Sequence, residues 1–183
     1  MSEIFLSFAA NPKGGKSTLS REIASKYDLP LVSGSAFLQE WAQERDVTLT
    51  TRPDYATFYQ QMVGELGATC IVDTALGYRN EKGLIIDGMR TLPDLLRFRA
   101  AGGITIGCWC TQEIRFERSL HQASDKDAAT LAGFMAAEQP EYDNPAGLQT
   151  IQVMQQADFS IDTTQPVRQN LAIIDRYLAA ISA

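Results

Sequence analysis

Residues Ala10 to Thr18 read Ala-Asn-Pro-Lys-Gly-Gly-Lys-Ser-Thr. The spacing is that of G-x-x-x-x-G-K-[ST], with Ala10 in place of the first glycine. Such a stretch does chemistry through its backbone. Amides from Gly15 to Thr18 form a concave row of partial positive charge that suits phosphate oxygens. Gly14 and Gly15 let the backbone come close to those oxygens with no side chain in the way. Lys16 would reach the β- and γ-phosphates, and the Ser17 hydroxyl would ligate Mg²⁺. Asn11, Lys13 and Thr18 complete the expected loop contacts. Lys13 either adds charge to the phosphates or points to water, and the spacing does not choose. By itself the stretch predicts a bound triphosphate with Mg²⁺.

Two further groups could act with the loop. The apolar run Leu84-Ile85-Ile86 ends in Asp87-Gly88-Met89-Arg90. A carboxylate at the end of a buried strand, beside a phosphate loop, is placed to meet Mg²⁺ or its water. Arg115 and Arg118 stand at i and i+3 after another apolar run, so a helix puts both on one face.

These residues need elements to position them. Ile4 to Phe8 reads as a strand, and Leu19 to Tyr27 as the helix that follows the loop. Leu31-Val32 is a short strand, and Ser33-Gly34-Ser35 opens a helix from Ala36 to Arg45. Thr51 and Asp54 form a capping box around Pro53. Tyr55, Phe58, Tyr59, Met62, Val63 and Leu66 then recur at helical spacing, as core or as rings facing a substrate. Gly67 interrupts before Cys70 to Tyr78. Thr91 and Asp94 repeat the capping box ahead of a helix from Leu95 to Ala101, which Gly102-Gly103 stops. Ile104 to Cys110 is the fourth strand, with Thr111 capping the arginine-bearing helix. Ser119 to Asp127 reads as a connection, Ala128 to Glu138 as a helix, and Pro140 to Gly147 as loop. A helix from Pro145 toward Gln156, a strand at Phe159 to Ile161 and a final helix from about Pro166 to Ile181 complete the chain.

Alternation of strands and helices predicts a parallel sheet covered on both faces, with ligands at the carboxyl ends of the strands. The phosphate loop, Ser33-Gly34, Asp87 to Arg90 and Thr111 all follow strands directly. They should therefore converge on one edge of the sheet.

The chain has 183 residues, 45% of them apolar and 21% charged, which fits one globular domain. Its formal charge of −6 supplies no general field for nucleic acid, so an anionic ligand needs a local cluster of cations. DNA as a partner is possible and not favoured. No apolar run is long enough to span a membrane, and the first residues lack a signal-peptide pattern. Cys70, Cys108 and Cys110 lack zinc-like spacing. Cys108 and Cys110 read as small apolar residues on one side of a strand. A cytoplasmic protein is expected, and the oligomeric state stays open.

Taken together, Ala10 to Thr18, the Asp87-Gly88-Met89-Arg90 run and Arg115-x-x-Arg118 resemble the P-loop nucleoside-monophosphate kinases. The likeness is to the archaeal and phage nucleotide kinase or dephospho-CoA-kinase-like group, related to cytidylate and adenylate kinases. It implies an α/β P-loop NTPase three-layer sandwich, a five-stranded parallel sheet of order 2-3-1-4-5, and a short helical lid. One domain would span 1–183, with an acceptor-binding segment at about 34–80 and the lid at about 115–142. By this resemblance, ATP and Mg²⁺ are the cofactors, and Lys16, Asp87, Arg90, Arg115 and Arg118 are catalytic. Ser33, Gly34, Arg52, Asp87 and Arg90 hold the acceptor, and Ser17 and Asp87 hold the metal. Residues 36 to 39 lack the arginine that often follows the second strand, and Met89 stands where the family has proline. The favoured acceptor is a (deoxy)nucleoside monophosphate, a small nucleotide-like molecule. Alternatives are a hydroxymethylated base in DNA, dephospho-CoA, or an ATP-binding regulatory module that transfers nothing.

Overall fold

The computed structural model describes residues 3–121, 130–143 and 149–181. Strands β1 (Ile4–Ala9), β2 (Leu31–Ser33), β3 (Gly83–Asp87), β4 (Ile104–Trp109) and β5 (Phe159–Asp162) form one parallel sheet in the order β2-β3-β1-β4-β5. The expected topology is the observed one.

Between the strands lie α1 (Lys16–Tyr27), α2 (Gly34–Gln43), α3 (Arg52–Leu66), α4 (Cys70–Leu76), α5 (Leu92–Ala100), α6 (Gln112–His121), α7 (Leu131–Asp143), α8 (Thr150–Gln155) and α9 (Val167–Ile181). The strand period of two sorts the core into halves. Phe5, Leu84 and Ile86 face α2 to α5 and α8. Leu6, Phe8, Ile85, Ile106 and Ile161 face α1 and α9. Both faces of the sheet are therefore apolar and covered, as parallel sheets require. Ser7 and Thr105 share a buried hydroxyl hydrogen bond of 2.7 Å between the two central strands.

Local signals mark most boundaries correctly. Thr51 and Asp54 close a reciprocal capping box on α3, and Gly67 ends that helix at φ +96°. Thr91 caps α5, but Asp94 does not complete the second box. Its carboxylate accepts from the Thr91 hydroxyl and from the amide of Val72 on α4, because burial against α4 offers it that donor.

Three expectations shift. Helix α6 continues through Ser119 to His121, and α7 runs past Pro140 to Asp143, where loop was expected. Cys110 lies just beyond the end of β4, half-buried, while Cys108 is fully buried within it. The connection expected at 122–127 and the helix start expected at Pro145 lie outside the described residues. Among the described residues, no helix is long and apolar enough to cross a membrane.

Candidate active site

Strand register aligns Phe8 and Ser33 with Asp87, and Trp109 with Asp162. The carboxyl ends of the strands thus form one rim, and the loops leaving them meet there. Ala10 to Gly15 is a tight loop between β1 and α1. The amide of Gly14 donates to the Asn11 carbonyl at 2.9 Å, and Lys13 and Gly15 take positive φ of 60° and 87°. A Cβ at Gly14 would fall 2.8 Å from both the Ala10 Cβ and the Asn11 oxygen. The glycine at 14 is therefore obligatory. At position 10 the alanine methyl is accommodated, buried at 1% exposure.

The carbonyls of this loop are held from outside. Arg115 Nη1 donates to the Pro12 oxygen at 3.2 Å, and Arg118 Nη1 to the Lys13 oxygen at 3.2 Å. The Thr163 hydroxyl donates to the Gly14 oxygen at 2.8 Å. Three successive carbonyls are thereby satisfied by groups beyond the loop. Oxygens so engaged do not compete with a bound anion for the loop amides.

Lys16 Nζ donates to Asp87 Oδ1 at 2.9 Å and to Ser17 Oγ at 3.0 Å. Burial pulls the Lys16 ammonium below its ordinary pKa, and the neighbouring Asp87 carboxylate opposes that shift. A carboxylate and a hydroxyl oxygen thus converge on one cationic nitrogen. That pair of hard oxygen donors fits Mg²⁺, which takes one or two protein oxygens and completes its shell with phosphate and water. Among the described residues, no group of three or more His, Cys, Asp or Glu could hold a metal alone.

Two cavities open on the rim. One, of about 590 Å³, is lined by Asn11 to Leu19 and Arg21, by Arg90 and Arg118, and by Thr163, Gln165, Val167 and Asn170 after β5. The other, of about 340 Å³, lies between the rim and α2 to α5. Ser33, Gly34, Tyr55, Tyr59, Asp87, Thr91 and Asp94 are among its walls. Pro12, Lys16, Ser17 and Arg90 belong to both. The two spaces therefore touch across a lysine, a hydroxyl and an arginine.

The structure brings together most of the expected residues. Asn11, Lys13, Gly14, Gly15, Lys16, Ser17 and Thr18 line the loop cavity, and Ser33, Gly34 and Asp87 line the other, with Arg90 on both. Arg118 lines the loop cavity, but its guanidinium also engages the Thr163 carbonyl and hydroxyl. Arg115 is 2% exposed and makes a bidentate pair with Glu138 of α7, one arm at 2.8 Å. It bounds neither cavity and meets the loop at the Pro12 carbonyl. The expectation for the Arg52 side chain lies outside the described residues.

Thr163 and Asp94 were not anticipated as site residues. The signal for Thr163 was present, since it follows β5 directly and so belongs to the same rim. For Asp94 the helix-capping role concealed its position on a cavity wall. Burial raises Asp94 to about 6, against the two hydrogen bonds that favour its charged form. It also raises Tyr59 to about 12.

No protein-family model matches the chain, and no curated protein matches it by sequence. Solved structures do match. Shikimate kinase from Acinetobacter baumannii in complex with shikimate aligns at TM-score 0.59 and 13% identity, over 98% of this chain and 95% of that one. A gluconokinase from Sinorhizobium meliloti 1021 aligns at 0.54 and 13%, over 100% and 99%. TT1252 from Thermus thermophilus aligns at 0.63 and 12%, with full coverage of both chains. This chain has the P-loop kinase fold. Alignment over nearly the whole length of each chain means that the P-loop kinase fold accounts for the elements described. At these identities the likeness concerns the fold, and the chemistry must be argued from the site.

Proposed function

We propose that the chain is an ATP-dependent phosphotransferase that moves the γ-phosphoryl group of Mg-ATP to a nucleotide-like small molecule, a (deoxy)nucleoside monophosphate by preference. The observation that carries this reading is the meeting of two cavities at Lys16, Ser17 and Arg90, with Asp87 beside them. A hydrolase needs one such space and water. Two spaces sharing a cationic boundary suit donor and acceptor held end to end.

In this reading the loop amides and Lys16 take the triphosphate in the larger cavity. Lys16 exchanges Asp87 for phosphate oxygens as they arrive. Ser17 and Asp87 would hold Mg²⁺, which supplies charge neutralisation on the β- and γ-phosphates. Arg90, reaching both spaces, neutralises charge on the transferring group and on the acceptor. An acceptor oxygen forms the new bond to Pγ as the bond from Pγ to the bridging oxygen breaks, and ADP leaves. Where that oxygen is a hydroxyl, Asp87 is placed to take its proton. Positioning and charge supply most of the catalysis. The acceptor segment at about 34–80 and the lid at about 115–142 belong to the same proposal.

ADP formation from Mg-ATP should depend on acceptor across a panel of nucleoside monophosphates, nucleosides, sugars and hydroxy acids. Failure of every acceptor would overturn the transfer reading and leave a nucleotide-binding module. A second expectation concerns the clamp on the loop. Thr163→Val should raise the Kd for Mg-ATP about 10-fold, the order expected for one well-placed buried hydrogen bond, with Thr163→Ser close to wild type. Calorimetric titration reads both variants, and an unchanged Kd in Thr163→Val would show that the loop needs no external hold on Gly14.

A further inference from the structure

The wall of the smaller cavity holds a carboxylate that the transfer chemistry does not use. Asp94 is 2% exposed and lines that cavity. Its oxygens accept one hydrogen bond each, from the Thr91 hydroxyl at 2.8 Å and from the Val72 amide at 3.2 Å. Both donors are neutral, and a carboxylate has room for about four. Among the described residues, no lysine, arginine or histidine pairs with it. Its other polar neighbours are Tyr59 on α3, with Cys70 and Asp73 on α4, and none of them brings positive charge. Buried charge is ordinarily paired, so this one stands in need of a partner.

We propose that the acceptor carries an amino group and that this group docks on Asp94. The inference rests on the two-cavity reading above and adds a polarity to it. Lys16 and Arg90 mark the end where negative charge is welcome. Asp94 marks an end where an anion would be repelled and a nitrogen donor held. A hydroxyl could fill one lone pair, but an amino group brings two or three N–H donors to the open lone pairs, and a protonated one also brings the positive charge that Asp94 lacks. Tyr55 and Tyr59 line the same cavity and offer π-systems that tolerate a cationic nitrogen. A nucleotide would enter phosphate-first, with an amino-bearing base toward Asp94. A simpler acceptor would be an amino alcohol or amino sugar in the same orientation.

The test uses acceptor pairs that differ by one amino group: cytidine against uridine monophosphate, an aminopurine against its deaminated form, glucosamine against glucose. Wild-type protein should favour the amino member by about 10-fold or more in kcat/KM. Asp94→Asn should abolish the preference by raising the acceptor KM, while the KM for ATP stays unchanged. The acceptor KM of wild type should rise as pH falls through about 6, where Asp94 takes a proton, and more steeply than that of Asp94→Asn, which keeps only the titration of the acceptor's own phosphate. The matched pairs need no variant, so misfolding of Asp94→Asn leaves the test intact. A preferred acceptor without an amino group would overturn the proposal, as would a preference that survives in Asp94→Asn. If no acceptor is phosphorylated by wild type, phosphoryl transfer itself is overturned, a result distinct from either of these.

Discussion

Replacing Lys16 with alanine is expected to lower the rate of phosphoryl transfer by about 10²-fold or more, roughly 3 kcal/mol of transition-state stabilisation. The ammonium sits where three demands meet. It lies on both cavities, it touches Ser17, and it pairs with Asp87. Alanine removes the cation that would follow charge onto the β- and γ-oxygens, and it leaves Asp87 without its partner. The loss should fall mainly on kcat, because the loop amides that cradle the phosphates remain. Steady-state kinetics with the best acceptor reads it, and a near-normal rate would mean that the phosphates lie elsewhere. Lys16→Arg should not restore the rate. A planar guanidinium cannot replace a compact ammonium in the space beside Gly88, whose Cβ position lies 3.8 Å from Nζ.

Gly83→Ala is expected to destabilise the fold by about 4 kcal/mol or more, among the larger effects a single substitution produces. Gly83 opens β3 at φ +132°, conformational territory that an L side chain rarely enters. An added Cβ would fall 1.7 Å from the Ile4 carbonyl oxygen, which is backbone and cannot turn aside. Gly83 pairs with Ile4 at the start of the β1–β3 ladder, and β1 leads into the phosphate loop while β3 leads to Asp87. Separating those strands would spread Lys16 from Asp87. Thermal unfolding should show a fall in Tm of about 10 °C or more, at the ~2–4 °C per kcal/mol typical of this chain length. A Tm within about 2 °C of wild type would show that β3 can move aside at small cost.

Asp94 illustrates the opposite relation between stability and site. Its folded pKa of about 6 lies above the ordinary carboxylate value of 3.8. The sign is therefore destabilising at neutral pH. The penalty is fully present above about pH 6, shrinks as pH falls, and vanishes below the unfolded-state value. A group held at such a disadvantage on a cavity wall is what a ligand-binding role would explain.

The parallel sheet and the rim were legible because they follow from patterns along the chain, whereas the strand order was implied by the family resemblance. Apolar runs of strand length alternate with helical periods, and the right-handed parallel crossover leaves few ways to arrange them. The capping box at Thr51 and the stop at Gly67 were legible for the same reason, being settled within a few residues. Arg115 shows where such reading ends. Its spacing from Arg118 put both on one helix face, and both do point toward the loop. What the spacing could not contain was Glu138, from a later helix, which binds Arg115 in a buried pair and turns it into a support for Pro12. Likewise, a threonine after β5 has no pattern that announces a bond to Gly14.

The stretch from Ala10 to Thr18 was determined by the sequence itself, because a phosphate loop is one continuous piece of backbone whose glycines and lysine work at short range. Only the tertiary structure decided the smaller cavity. Ser33, Tyr59, Asp87 and Asp94 belong to four separate elements, and their meeting around one cavity is set by how helices α2 to α5 pack on the sheet. No spacing in the chain encodes the distance between side chains that only packing brings into contact.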